Sequence, residues 1–120
     1  MSIIAKTPEQ TTEVFVHYFN EGDVDRLIAA YYGDGAVLAA APGTAAGGRD
    51  LRTALQAYLD ARGTMTAATR RVLVSGDTAL LVIDWVIHAK QPIFGTSTDV
   101  VRRGSDGVWR CVIDNPHNVR

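Results

Sequence analysis

The hydrophobic pattern of the chain changes period once, at about Thr64. Before that residue, apolar side chains recur at helical spacing, and after it they alternate as in β-strands. Turn signals at residues 75–77, 91–92 and 104–107 divide the second part into four consecutive antiparallel strands. Helices followed by such a meander predict an α+β fold, in which three N-terminal helices pack into a curved, mostly antiparallel sheet.

The first part of the chain carries start and stop signals for helices. Thr7 and Gln10, with a proline after the threonine, form a capping box, so the first helix is expected to begin there. This helix should end near Gly22, and Asp23 can cap a second helix that ends by Gly33. The pattern therefore predicts a tight helical pair.

The segment that joins these helices to the meander is rich in small residues. Residues 36–40 are typical of a short apolar strand, and residues 42–48 are predicted to be a loop. A third helix should begin at about Arg49 or Asp50 and end at Gly63. With 120 residues, we expect a single domain over residues 1–120.

Composition excludes several classes of partner and site. Lys and Arg number 12 against 13 acidic residues, a net charge of −1, so we expect binding to neither nucleic acid nor membrane. No run approaches the roughly 20 apolar residues of a spanning helix, and no leader-like start is present. Cys111 is the only cysteine, which indicates a reducing compartment, the cytoplasm. Histidine spacing favours no metal, and no motif indicates a cofactor.

Four short motifs, taken in order, resemble a known superfamily. They are Phe-Asn-Glu-Gly-Asp at residues 19–23, Tyr-Tyr-Gly-Asp-Gly-Ala-Val-Leu at 31–38, Gly48-Arg49, and Asp-Gly-Val-Trp-Arg at 106–110. From about Thr7 to Pro116 the chain resembles the nuclear transport factor 2-like superfamily, in its SnoaL-like and ketosteroid-isomerase-like branch. The resemblance implies a cone-shaped α+β barrel with a ligand pocket, commonly homodimeric. It also implies functions ranging from isomerases, dehydratases and cyclases to binding-only domains.

The resemblance to ketosteroid isomerase is incomplete at the catalytic positions. Ala39 or Ala40 stands where that enzyme has its general-base aspartate, and Phe15 stands in place of its oxyanion tyrosine. Asp99 matches the protonated aspartate of the oxyanion hole. We therefore expect that the protein is not a true ketosteroid isomerase.

In a β-strand successive side chains point to opposite faces, so the strand at residues 78–90 presents two sets of side chains. One set contains Asp84 and His88 together with Val82, and the other is entirely apolar. The resemblance places the acid-containing set in the pocket, beside Asp99, Val112 and Asp114. A hairpin closing symmetrically at residues 105–106 would put Asp99 opposite Val112 and diagonal to Asp114, roughly 7–8 Å away.

These placements lead to a catalytic hypothesis. Asp99 would be the protonated acid or oxyanion donor, and Asp114, or Asp84 with His88, would be the base, since adjacent buried carboxyls cannot all ionise. The predicted ligand-binding residues are Phe15, Tyr31, Tyr58, Val82, Val112 and His117. Purely structural roles for two of these acids remain open, because Asp114 can cap a turn before Asn115 and Asp84 can lie on a solvated strand edge.

The apolar set of residues would need a cover if it faced water. We expect a second copy of the chain to provide it, in a homodimer formed through the outer sheet face. The predicted interface residues are Ile83, Trp85, Ile87, Trp109, Cys111 and Ile113. The assignment of the two faces can also be reversed, with this set in the core.

The leading functional hypothesis is a cofactor-independent domain whose acid-lined apolar pocket binds a small hydrophobic or carbonyl-containing molecule. Chemistry there would be proton transfer, as in an isomerase, cyclase or dehydratase. The alternative is a non-catalytic binding or oligomerisation module, which the missing base at Ala39 or Ala40 favours.

Overall fold

A computed structural model describes residues 3–41 and 44–117. The described part contains three helices and six strands. The helices are α1 (Gln10–Glu21), α2 (Val24–Tyr31) and α3 (Gly48–Leu59). The strands are β1 (Tyr32–Ala41), β2 (Thr44–Gly47), β3 (Thr64–Ser75), β4 (Thr78–His88), β5 (Ile93–Arg103) and β6 (Trp109–Asn115). They form one sheet in the order β2-β1-β6-β5-β4-β3, which confirms the predicted α+β fold.

The predicted local signals are present near the helix ends, although α1 begins at Gln10, with Glu9 as its N-cap residue, and α3 ends at Leu59, four residues before Gly63. The Thr7 hydroxyl accepts from the Gln10 backbone N–H at 3.3 Å, and the Gln10 side chain accepts from the Thr7 N–H at 3.2 Å, so the capping box is made. Gly22 ends α1 with a left-handed φ of 81°, and the Asp23 carboxylate accepts from two N–H groups in the first turn of α2.

The connection between α2 and α3 is more ordered than its composition indicates. β1 runs over Tyr32–Ala41, twice the predicted length, and α2 ends two residues before Gly33. Within the segment predicted to be a loop, residues 44–47 form strand β2, which pairs antiparallel with β1. The predicted loop is therefore wrong at these residues, because pairing with β1 satisfies their backbone groups. Pro42 and Gly43 lie outside the described residues.

The meander was predicted correctly, and its last strand joins the two parts of the chain. β3, β4, β5 and β6 pair antiparallel in sequence order. β6 then pairs parallel with β1, which makes the sheet mixed and brings the chain that follows α2 beside the C-terminal hairpin. This pairing places residues 31 and 32 next to the acids of β5 and β6.

The helices cover one side of the sheet, here called the inner face, and the opposite side is the outer face. On β4 the inner residues are Leu81, Ile83, Trp85 and Ile87, all buried. The outer residues of β4 are Leu80, Val82, Asp84, Val86 and His88. The predicted faces of β4 are thus reversed. The entirely apolar set lies under the helices because its burial releases the most apolar surface from water.

The core lies between the helices and this inner face. Leu27, Leu55, Leu81 and Val101 are fully or almost fully buried there, with exposed fractions of at most 1%. Truncating such a leucine to alanine costs about 2–5 kcal/mol of unfolding free energy, so these contacts fix how the helices sit on the sheet. No helix in residues 3–41 or 44–117 is long and apolar enough to cross a membrane.

Candidate functional site

An apolar cavity lies between the helices and the inner face of the sheet. Its volume is about 50 Å³, smaller than the roughly 150 Å³ engineered cavity that accepts benzene. Of the predicted site residues, the cavity is lined by Phe15, Tyr31, Tyr58, Asp99 and Asp114. Further wall residues include Phe19, Leu38, Leu55, Met65, Ile83 and Trp85. The wall is mostly aromatic and aliphatic, with its acids on β5 and β6.

Asp99 and Asp114 lie directly opposite each other on β5 and β6. A β-bulge between Cys111 and Ile113 produces this pairing, because the extra residue Val112 shifts the phase of the end of β6. The predicted diagonal arrangement, with Asp99 opposite Val112, is therefore wrong in register, although both acids do share the inner face. Asp99 is 4% exposed and Asp114 5% exposed.

Hydroxyl groups and one backbone amide donate to this acid pair. Tyr31 Oη donates to Asp99 Oδ2 at 2.9 Å, and Tyr32 Oη donates to Asp114 Oδ2 at 2.5 Å. Ser97 Oγ donates to Asp99 Oδ1 at 2.5 Å, and the Asn115 N–H reaches the same oxygen at 3.3 Å. Asp99 thus accepts three hydrogen bonds from these groups, and Asp114 accepts one.

Burial controls the protonation of the two acids. It raises the pKa of Asp114 well above the ordinary carboxyl value, and the nearby charge of Asp99 raises it further. Burial also raises the pKa of Asp99, but the hydrogen bonds from Ser97, Asp114 and Tyr31 act in the opposite direction. The two carboxyl groups lie opposite each other in a buried site, where two adjacent negative charges are costly, and this favours a proton on one of them.

The side chains that line the cavity carry no positive charge among the described residues. The hydrogen bonds that the acid pair accepts in the cavity wall therefore come from neutral donors.

Within residues 3–41 and 44–117, no group of three or more His, Cys, Asp or Glu side chains is arranged to hold a metal ion. The pKa of the buried Cys111 thiol is raised well above its ordinary value by burial and by Asp99.

The C-terminal residues border the cavity. Pro116 lines it, and the Trp85 indole N–H donates to the Pro116 carbonyl at 2.8 Å. The His117 ring lies 5.2 Å from the Trp85 ring, and its Nε2 is 3.3 Å from Tyr58 Oη. His117 is thus placed beside the cavity, next to the predicted ligand-binding residue Tyr58.

Four predicted site residues lie away from the cavity. Asp84, His88 and Val82 are on the outer face of β4, where Asp84 accepts from Arg70 at 2.8 Å and His88 Nε2 is 2.9 Å from Thr66 Oγ1. The hydrogen bond from Thr96, and then the ion pair with Arg70, hold the pKa of Asp84 below its usual value. Val112, the bulge residue, lines a separate groove beside α2. The predicted pocket location is wrong for all four.

Five of the six residues predicted to form the dimer interface are buried within the domain. Ile83, Trp85 and Ile87 are buried under the helices, and so are Trp109 and Cys111. Ile113 alone among the six lies on the outer face, with 47% of its surface exposed. The first five cannot form an outer interface, because the domain itself already covers them.

Sequence reasoning missed several residues of the site, among them Ser97, Trp85 and Tyr32. Alternation puts Ser97 on the same face of the strand as Asp99, but Ser97 was not predicted to belong to the site. Trp85 lines the cavity as part of the entirely apolar set of β4. Tyr32 had no local signal, because its hydroxyl meets Asp114 across 82 residues of sequence.

Comparison with known proteins places the chain in a family. The sequence profile of the SnoaL-like domain matches residues 12–112. The chain belongs to the SnoaL-like domain family. This match, together with the fold of the structural relatives, confirms the nuclear transport factor 2-like superfamily. Comparison with curated protein sequences gives no significant match.

Solved structures share the fold of this SnoaL-like domain at low sequence identity. A protein from Thiobacillus denitrificans, assigned as a calcium/calmodulin-dependent protein kinase type II association domain, superposes with a TM-score of 0.77 at 19% identity, covering 98% of this chain and 99% of that chain. A Streptomyces avermitilis protein, assigned as a dehydratase of the NTF2-like family, gives 0.69 at 16% identity, covering 92% and 91%. A Novosphingobium aromaticivorans protein, assigned as a scytalone dehydratase, gives 0.62 at 16%, covering 93% and 86%. These similarities show the fold alone.

Proposed function

We propose that this SnoaL-like domain binds a small, largely apolar molecule carrying a carbonyl group, and that it transfers protons on that molecule without a cofactor. The observation that carries the proposal is the pairing of Asp99 with Asp114, both buried, at the wall of an apolar cavity. An apolar cavity with a few convergent polar groups of perturbed pKa is the usual form of a small-molecule site. The dehydratase assignments of two structural relatives are compatible with such chemistry.

We assign the proton to Asp114 and the negative charge to Asp99, the reverse of the roles that the sequence favoured. Asp99 accepts from Tyr31, Ser97 and the Asn115 N–H, and hydrogen bonds to a carboxylate favour its charged form. Asp114 accepts from Tyr32 alone in this set. Asp114 is therefore the donor of the pair.

Tyr31 connects this acid pair to a ligand. Its hydroxyl donates to Asp99 at 2.9 Å, and its side chain lines the cavity. A carbonyl oxygen that takes over the Tyr31 O–H leaves a lone pair of Asp99 free to accept a proton from the carbon next to the carbonyl. The resulting enolate oxygen is stabilised by Tyr31. The proton held by Asp99 exchanges with solvent, and delivery of a solvent-derived proton or deuteron to the enolate carbon completes the exchange.

Deuterium exchange of two small ketones tests this proposal. Acetone or cyclopentanone in D₂O should lose α-protons faster with the protein than in buffer, as followed by proton NMR. Asp99→Asn and Tyr31→Phe should abolish the acceleration. Asp84→Asn is the matched control, because Asp84 is paired with Arg70 on the outer face. Exchange that equals the buffer rate, or that survives Asp99→Asn, would refute proton transfer at this pair. Loss of exchange in Asp84→Asn would instead locate the chemistry on the outer face.

A non-catalytic binding module is the second candidate, and the completeness of the acid network favours it. Each acid carboxyl already has partners within the domain, and the ketosteroid isomerase base position is Ala39 or Ala40. In that case the carboxyls orient a ligand or satisfy one another. A ketone that raises the melting temperature without any deuterium exchange would support this candidate.

We further propose that the domain forms a homodimer in the cytoplasm through the outer face of the sheet. Phe94 is 71% exposed and Ile113 47% exposed on this face, with half-buried valines between them. The Arg70–Asp84 ion pair lies among these residues. A self-complementary contact of two such faces covers an apolar patch that would otherwise meet water. Light scattering would distinguish a dimer from a larger ring.

A further inference from the structure

The last described residues of the chain are attached to the cavity wall by several contacts. The Pro116 carbonyl accepts from the Trp85 indole at 2.8 Å, and the Asn115 N–H donates to Asp99 at 3.3 Å. The His117 ring packs on Trp85 at 5.2 Å between centroids. Residues 115–117, here called the strap, thus border the cavity beside both its acid pair and its aromatic wall.

Gly95 forms the surface on which the strap rests. Gly95 pairs with Trp85 in the β4–β5 ladder. A Cβ atom at this position would lie 2.8 Å from His117 Nδ1 and 3.2 Å from the Pro116 carbonyl oxygen. A larger residue would therefore displace the His117 ring and press on the Pro116 carbonyl. Close approach of the strap, rather than an unusual backbone angle, accounts for the glycine.

The cavity is smaller than the ligands it is proposed to take. Its volume is about 50 Å³, a fraction of the roughly 300–1,000 Å³ that small-molecule sites usually offer. Its other walls are helices and paired strands, which open only at the cost of the core. The strap is held by the Trp85 indole hydrogen bond, the longer Asn115 amide hydrogen bond, the pairing of Asn115 with Thr98 at the end of β6, the His117–Tyr58 contact and ring contacts. It is the part of the wall that moves at least cost.

We propose that the strap is the gate of the cavity. The hydrogen bond from the Trp85 indole holds the gate shut, and Gly95 provides the space in which the closed strap lies. The gate rests on the proposed function, since a gate has a role only if the cavity takes a ligand. Opening the strap also removes the Asn115 N–H from Asp99, so access to the cavity and the hydrogen bonding of its acid change together.

Hydrogen exchange of the Trp85 indole N–H, measured by NMR in the Gly95→Ala variant, tests the gate. Displacing the strap breaks the bond to Pro116, so exchange of this proton should accelerate about fivefold, the change that corresponds to one ordinary hydrogen bond. The Trp109 indole is the internal reference. Gly33→Ala is the matched control, because its Cβ would meet its nearest atom at 3.5 Å, in ordinary contact.

A second variant keeps the test decisive if Gly95→Ala does not fold. Trp85→Phe removes the indole hydrogen bond to Pro116 and keeps Gly95. Exchange of the Asn115 backbone N–H should then accelerate by a similar factor. Equal acceleration at Trp109 in Gly95→Ala would mean general loosening of the fold and would overturn the gate. No acceleration of Trp85 in Gly95→Ala, or of Asn115 in Trp85→Phe, would overturn it as well. These measurements use neither ligand nor turnover, so the gate and the ketone chemistry can fail separately.

Discussion

Replacing each acid of the buried pair by asparagine should have opposite effects on stability. Asp114→Asn should stabilise the protein at pH 8 and weaken the dependence of stability on pH. Asp99→Asn should destabilise the protein at both pH 5 and pH 8. The contrast follows from the numbers of donors that the two carboxyl groups accept, because three groups donate to Asp99 and Tyr32 donates to Asp114.

The pH dependence has a definite sign. Burial raises the pKa of Asp114 well above its ordinary value in the folded protein, whereas in the unfolded chain it titrates near 4. Between these two values the unfolded state binds fewer protons than the folded state, so stability falls as pH rises. The contribution is complete below about pH 4 and is lost as pH passes the raised pKa, by about 1.4 kcal/mol for each pKa unit of elevation.

An amide at position 114 removes this loss. Its nitrogen can donate to the facing Asp99, the role proposed for the protonated acid, and its oxygen can accept from Tyr32. An amide at position 99 is different, because its nitrogen accepts nothing. One of the donors from Tyr31, Ser97 or Asn115 then lacks a partner in a buried site, at a cost of about 1–3 kcal/mol.

Urea unfolding followed by circular dichroism at pH 5 and pH 8 measures both effects. Groups common to the wild type and Asp114→Asn cancel in the difference between their curves. Asp84→Asn is the control, since the pKa of Asp84 is lowered and its charge is complete throughout this range. The reasoning is refuted if Asp114→Asn is as costly as Asp99→Asn, or if its stability depends on pH as steeply as that of the wild type.

Three further predictions concern single contacts. Tyr32→Phe should lower stability by about 1 kcal/mol and raise the pKa of Asp114 further, because it removes the 2.5 Å hydrogen bond; NMR titration measures the pKa. Gly63→Ala should cost about 1–3 kcal/mol, because its Cβ would lie 2.7 Å from the His88 carbonyl oxygen; chemical denaturation checks this. Ile113→Asp should convert a dimer to a monomer in light scattering, because it places a charge in the proposed interface.

Each of these predictions has its own control and its own contrary result. Gly33→Ala has room for a methyl group at 3.5 Å from its nearest atom, and it should change stability by about 0.5 kcal/mol or less. Equal costs at Gly63 and Gly33 would contradict the crowding argument. An unchanged titration of Asp114 in Tyr32→Phe would mean that the hydroxyl does not act on that acid. A dimer that survives Ile113→Asp would exclude the outer face at this residue.

The sequence predicted features whose causes are local. The Thr7–Gln10 capping box and the Asp23 cap each involve residues at most three positions apart, so they form wherever the chain turns into a helix. The order of three helices and the meander likewise follow from hydrophobic period and turn residues. The strand β2 was missed, because small residues give no strong propensity and its pairing with β1 is a tertiary contact.

The two faces of β4 show where the sequence alone leaves a choice. Alternation separated Ile83 and Trp85 from Asp84 and His88, but either set can in principle face a cavity. The helices covered the entirely apolar set, since burial of Asp84 and His88 would require partners that the helices do not supply. An entirely apolar set was the better indicator of the core than the presence of acids.

By itself, the sequence determined the three helices, the four strands of the meander, their order and the shared face of Asp99, Ser97 and Val101, because periodicity and capping act within a few residues. Only the tertiary structure decided the acid pairing, since the Val112 bulge shifts the register of β6. It also brought Tyr31 and Tyr32 to acids 68 and 82 residues away. Strand register and the face that packs under the helices depend on contacts between distant segments, and local pattern does not determine those contacts.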